Sequence, residues 1–210
     1  MKPDKYFATI LLLLISALRV VAAWQADGVA AIKTNDGYVI VWNQPDIHFT
    51  VRAKGKDVRP MSRPGTGSVA FNVDGVIFQI QTVAISEFLK NKKQKSDEQA
   101  ILLAHQNWET QYLEQTVGEK LKVTSAPQQL SNGSQALIWK YDKPKTRGSE
   151  QMYLTTVSGN NVVILNGVIS ERSPESRVRQ LLLNTIATLT VSQHPIDVPK
   201  LRESLQRNSQ

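Results

Sequence analysis

The sequence predicts an α+β fold: an antiparallel β-sheet with two main α-helices packed on it. Three observations lead there. Short runs rich in Val, Ile, Phe and Tyr face each other across turn residues, at Asn35-Asp36-Gly37 and at Asp74-Gly75. Two longer stretches, after Ser96 and after Ser173, repeat apolar residues at three- and four-residue steps behind capping residues. The strands also come in runs instead of alternating one by one with helices, which is the pattern of a segregated fold and not of a parallel sheet.

The chain opens with an export signal. Lys2 and Lys5 precede the apolar stretch Phe7 to Leu18, and Val21 and Ala23 supply small residues ahead of Trp24. Residues 1–23 therefore read as a signal peptide. A membrane-spanning helix needs about 18 or more apolar residues in succession, and Arg19 interrupts the run, so the reading is a cleaved leader with no transmembrane helix left afterwards. Residues 24–75 read as N-terminal strands and a loop belonging to the same domain. Asp36 and Gly37 suit the positive φ values of a tight turn. From Ile47 the chain alternates, with Ile47, Phe49, Val51 and Ala53 on one face and His48, Thr50, Arg52 and Lys54 on the other, as a half-buried strand requires. Pro60, Pro64, Gly65 and Gly67 then mark an irregular loop over 55–68. A second hairpin turns at Asp74-Gly75.

The first main helix follows a lysine-rich loop. Ser96 with Gln99 fits a capping box, Asp97 and Glu98 favour the positive end of the helix dipole, and Gly118 stops the helix near Val117. Its expected buried stripe is Ile101, Ala104, His105, Trp108, Tyr112 and Leu113. Four strands come next, over 119–130, 134–143, 150–159 and 160–170. Turn-rich segments separate them, predicting an antiparallel meander. Ser173 as cap and Pro174 as first helical residue start the second main helix, whose stripe is Val178, Leu181, Leu182, Ile186 and Leu189. Residues 76–192 thus form the α+β core, and residues 193–210, poor in apolar side chains, read as a loose tail.

Composition narrows function by exclusion. The 210 residues contain no cysteine, which removes thiolate catalysis, disulfides and cysteine-based metal sites. His48, His105 and His194 lie far apart without metal-ligand spacing, so no metal and no cofactor is expected. His105 reads as a core-edge histidine with a hydrogen-bond partner, and His48 and His194 as exposed. Neither a nucleophile elbow nor a phosphate-binding glycine loop is present; Ser68 in Gly-Thr-Gly-Ser has only a flexible loop around it. Trp42, Trp108 and Trp139 read as packing residues, while Trp24 sits beside the new N-terminus.

The formal net charge is +7. Cleavage after Ala23 removes three cations and one anion, leaving +5. The bases are scattered, which argues against specific nucleic-acid binding. Their one dense cluster, Lys90, Lys92, Lys93 and Lys95, is a possible contact for an anionic polymer, although Asp97 and Glu98 nearby oppose it. A Lys→Gln variant with unchanged retention on heparin would dismiss that contact.

Over about residues 76–191, the segments 96–113, 135–143, 153–170 and 173–189 occur in an order that resembles the PsbP-like superfamily. That superfamily includes photosystem extrinsic subunits, a nuclear-transport Ran-binding factor and periplasmic DcrB-type proteins. The resemblance rests on topology and carries over no site residue. It implies a noncatalytic binding or assembly factor. The expectation is an exported envelope protein, periplasmic or secreted, that binds an unknown protein or an anionic envelope polymer. The alternative is an exported hydrolase, which would show close, buried titratable groups in a deep pocket.

Overall fold

Two antiparallel sheets face each other across an apolar core in the computed structural model, which describes residues 24–26, 28–61, 69–89, 97–131, 133–142 and 149–207. The predicted signal peptide, 1–23, lies outside the described residues. The first sheet is built from β1 (Trp24–Ala26), β2 (Val29–Thr34), β3 (Gly37–Gln44), β4 (Ile47–Lys54) and, last in the chain, β12 (Thr190–Ser192), in that spatial order. The second contains β5 (Val58–Pro60), β6 (Val69–Val73), β7 (Val76–Ala84), β8 (Val123–Gln129), β9 (Gln135–Tyr141), β10 (Gln151–Ser158) and β11 (Asn161–Val168). Its order is β5-β6-β7-β11-β10-β9-β8. The α+β class and the two main helices stand as the sequence predicts; the β-layer is divided into two sheets.

Local chemistry sets most of these elements. Asp74 and Gly75 both adopt positive φ, 50° and 92°, so the β6–β7 turn twists with its strands. The first hairpin differs from expectation. Its turn is Asn35-Asp36, Asp36 keeps a negative φ, and only Gly37 is positive, at 145°. A Cβ on Gly37 would lie 2.0 Å from the Ala53 carbonyl oxygen, so glycine is required by the close approach of β4. The alternation in β4 is as read: Ile47, Phe49, Val51 and Ala53 are buried. Part of the predicted loop over 55–68 is instead ordered as β5, paired to β6 through Val58, Arg59 and Pro60.

Among the described residues, four helices cover the sheets. After the short α1 (Ile85–Phe88), helix α2 (Glu98–Val117) carries the chain from β7 to β8, at the far edge of the second sheet. Asp97 is its cap, accepting the Ala100 N–H at 2.7 Å, and Gly118 closes it by donating to Glu114. Helix α3 (Glu175–Ile186) starts one residue off the prediction: Pro174 is the cap, and Ser173 is buried, its hydroxyl bonded to Ser170 and to the Val168 carbonyl. Its stripe is the predicted one. Val178, Leu182 and Ile186 are buried in the inter-sheet core with Phe49, Phe71, Phe78, Leu154 and Leu165. Each such side chain contributes roughly 1.5–3 kcal/mol through burial.

The C-terminal segment departs from the sequence reading. Residues 193–210 were expected to be loose, yet helix α4 (Val198–Arg207) lies on the outer face of the first sheet. Ile196, Val198, Leu201 and Leu205 pack there on Ala30, Ile32, Val39 and Val41. Asn43 anchors the approach twice, donating to the Ile196 carbonyl at 2.9 Å and accepting the Ile196 N–H at 2.8 Å. Apolar strand residues on both faces of β2 and β3 needed a second cover, and four residues spaced along an otherwise polar segment supply it. Among the described residues, no helix is long and apolar enough to cross a membrane.

Candidate functional site

The four lysines singled out in the sequence, Lys90, Lys92, Lys93 and Lys95, lie outside the described residues. Two other places combine chemistry with geometry: the layer beneath α2, and the free edge of the second sheet at β8.

The layer beneath α2 is unusually polar. The helix buries Leu102, His105 and Gln106, and Ile101 and Leu113 are partly buried against the same sheet face. The buried side is thus rotated from the predicted stripe: Trp108 and Tyr112 stand at its margin, 38% and 59% exposed. The reason is competition. Trp139 and Tyr153 stack at 4.0 Å beneath the helix and fill the volume that the helix aromatics would have needed. Trp108 instead rests against Phe88 and His105 at its edge.

His105 is not a core-edge residue with a partner. It is fully buried, Phe88 meets it edge-on at 5.4 Å, and neither ring nitrogen has a hydrogen-bond partner among the described residues. Burial alone lowers its pKa to about 4, so the ring is neutral at pH 7. Glu109, one turn further, has its carboxyl pKa raised by burial. Below it, burial also raises the phenols of Tyr141 and Tyr153, the latter further raised by Tyr141 and Glu109. The Tyr153 hydroxyl donates to Gln151 at 3.0 Å. His48, expected exposed, is half-buried with an unpartnered Nδ1, whereas His194 is exposed as expected. Trp42 and Trp139 are buried packing residues.

These groups are close and buried, which is half of what a hydrolase would require. The other half is access. The hollows on both sides of β8 and beside the end of α2 are lined by none of His105, Glu109, Tyr141 and Tyr153. Among the described residues no cluster of His, Asp and Glu could hold a metal ion.

The edge at β8 is the second place. Among the described residues, the other three sheet edges, β1, β5 and β12, are three residues long, whereas β8 has seven. Natural edges are blunted by shortness, charge or cover. β8 reads Val-Thr-Ser-Ala-Pro-Gln-Gln and carries no charge. Its register to β9 fixes which backbone groups are free. Asp142 donates to the Lys122 carbonyl and Leu130 donates to Ser134, so the even-numbered residues between them bond inward. The N–H groups of Val123, Ser125 and Gln129 and the carbonyls of Val123, Ser125 and Pro127 therefore point away from the sheet. The Gln129 carbonyl accepts from its neighbour's side chain, Gln128, at 3.1 Å. Pro127, without an N–H, falls at an outward position and leaves the ladder intact.

A hollow lies on each face beside this edge. On the α2 side it is bounded by Gln99, Leu102, Pro127, Gln129, Gln135 and Leu137. On the α3 side it is bounded by Thr124, Ala126, Ile138, Met152, Glu175 and Arg179. Lys140 beneath the second hollow is held between Glu175 at 2.7 Å and Glu150 at 2.9 Å, and those two hydrogen bonds keep its ammonium charged well above the usual range. Arg179 reaches only the Gln128 side-chain oxygen, at 3.5 Å, and pairs with no carboxylate among the described residues. The sequence reading missed this edge, although a proline inside an uncharged strand pattern was the available signal.

No family model matches the chain, and no curated protein matches it. Among solved structures, it is similar to the cyanobacterial PsbP of Synechocystis, with a TM-score of 0.49 and 8% identity, covering 80% of this chain and 98% of that one. A structure from Bacteroides thetaiotaomicron is similar at a TM-score of 0.34 and 15% identity, covering 70% of this chain and 46% of that one. The chain spans less than half the length of the second. The PsbP-like resemblance is a weak likeness of fold.

Proposed function

We propose that the mature chain is an exported, noncatalytic binding or assembly factor that engages another polypeptide along the free edge at β8. One observation carries this reading: among the described residues, a seven-residue edge strand without a charge presents unpaired backbone donors and acceptors, while every other sheet edge is cut to three. The leader at residues 1–23 supports export to a periplasm or beyond. The full burial of His105 between α2 and the sheet supports binding over hydrolysis, since a substrate would have to displace the helix to reach it.

Site-specific photo-cross-linking tests it. A photoreactive residue replacing Ser125, in the chain expressed in its own envelope, should give a discrete adduct with one polypeptide. The same residue replacing Glu203 on α4 should not. Adducts from both positions alike, or from neither, would count against the reading.

A further inference from the structure

Deepening that reading, we infer that the occupant of the β8 edge is an extended peptide segment that adds an eighth strand to the sheet and carries an acidic side chain facing α3. The backbone argument comes first. An added strand would pair with the outward groups of Val123 and Ser125 and reach Gln129, and its side chains would alternate between the two sheet faces. Both faces are ready to receive them. Residues directly opposite in antiparallel strands share a face, so Val123, Ser125, Pro127 and Gln129 stand with Trp139 and Leu137 on the α2 side. Thr124, Ala126 and Gln128 stand with Lys140, Ile138 and Ala136 on the α3 side.

The two hollows differ in chemistry, and that difference specifies the segment. The α2-side hollow, with Leu102, Leu137, Pro127 and four glutamines, suits small apolar or hydroxyl side chains. The α3-side hollow is lined by ions, but its charges are not equivalent. Glu175 of α3 and Glu150 both bind Lys140, which leaves that trio one net negative charge, and neither carboxylate pairs with Arg179. Arg179 stands nearer the edge, at Gln128, with a single long hydrogen bond to a neutral amide. A carboxylate on the incoming strand would give the guanidinium the bidentate acceptor it lacks. The β8 edge therefore provides affinity through the main chain, and Arg179 provides selection.

The test uses the isotope-labelled mature chain and two capped heptapeptides as probes, Thr-Val-Thr-Asp-Thr-Val-Thr and its Asp→Asn counterpart, followed by amide NMR titration. The expected result is perturbation centred on the amides of Val123, Ser125 and Gln129. The Asp probe should bind about three- to fivefold more tightly, in keeping with a partly exposed ion pair. Arg179→Gln should abolish that preference and leave the Asn probe unaffected. Ser125→Pro should abolish binding of both probes with unchanged circular dichroism, because the Ser125 N–H takes no part in the ladder to β9. Equal binding of the two probes overturns the acidic occupant while leaving the edge as a binding site. No perturbation at β8 by either probe overturns the edge itself and the proposed function with it. Sedimentation of the free chain as a dimer that Ser125→Pro dissociates would make the occupant a second copy, and would also overturn the inference.

Discussion

The two faces of the seven-stranded sheet are built from the same strands and solve opposite problems. The face toward the five-stranded sheet takes Val178, Leu182 and Ile186 of α3 against Phe71, Phe78, Leu154 and Leu165, with aliphatic and aromatic carbon throughout. The face toward α2 holds Trp139, Tyr141 and Tyr153 beneath His105 and Glu109, and leaves the side-chain nitrogens of His105 and Trp139 without partners among the described residues. Burial stabilises the first face with little opposing cost. On the second, burial of carbon is partly cancelled by polar atoms taken out of water. One face is therefore the source of stability and the other the source of its pH dependence.

The largest expected effect comes from the inner face. Leu182→Ala should lower unfolding free energy by about 3 kcal/mol, because Leu182 is fully buried between two sheets that cannot collapse onto the gap. Urea unfolding at pH 7 measures it, and a loss under about 1 kcal/mol would mean that α3 is not part of the common core.

His105→Phe probes the outer face, and its sign should be the reverse. The folded-state pKa of His105 is lowered, from 6.5 to about 4, so the unfolded chain binds more protons between those values. The favourable state is present above about pH 6.5 and is lost as pH falls toward 4, by up to about 3 kcal/mol for this one group. Phenylalanine, packing on Phe88 and Trp108 without orphaned nitrogens, should be neutral or stabilising at pH 7 and flatten the decline below pH 6.5. An unchanged pH profile in thermal melts would show that His105 titrates as it does in water.

The smallest effect belongs to Glu109→Gln. The carboxyl pKa of Glu109 is raised, so its linkage runs against that of His105: it costs stability as pH rises through its folded value. Glutamine should gain up to about 1 kcal/mol at pH 7.5, with the gain fading at pH 5. A gain that grows toward acid would contradict the burial of Glu109.

Legibility in the sequence followed the same division. β4, the Asp74-Gly75 turn, the meander from β8 to β11 and the stripe on α3 were all readable, because period-two and period-3.6 patterns are unambiguous where one face is wholly apolar. Helix α2 was harder. Its apolar residues surround the helix loosely, and Trp108 and Tyr112 outweighed Leu102 and Glu109 in the pattern although the structure buries the latter pair more deeply. The candidate site was barely legible: Pro127 and the absence of charge marked β8, but Arg179 belongs to helix α3, 51 residues beyond Gln128.

The sequence alone determined the class, the main hairpins and the absence of thiol chemistry, since each depends on residues adjacent in the chain or on simple composition. Only the tertiary structure decided that the strands divide into two sheets, that 198–207 forms a covering helix, and that β8 ends a sheet between two unlike hollows. The physical reason is that these depend on which surfaces compete for the same cover. A local pattern says that a face must be buried, and the partner that buries it is chosen by volume and by hydrogen bonds such as those of Asn43, across 153 residues, to Ile196.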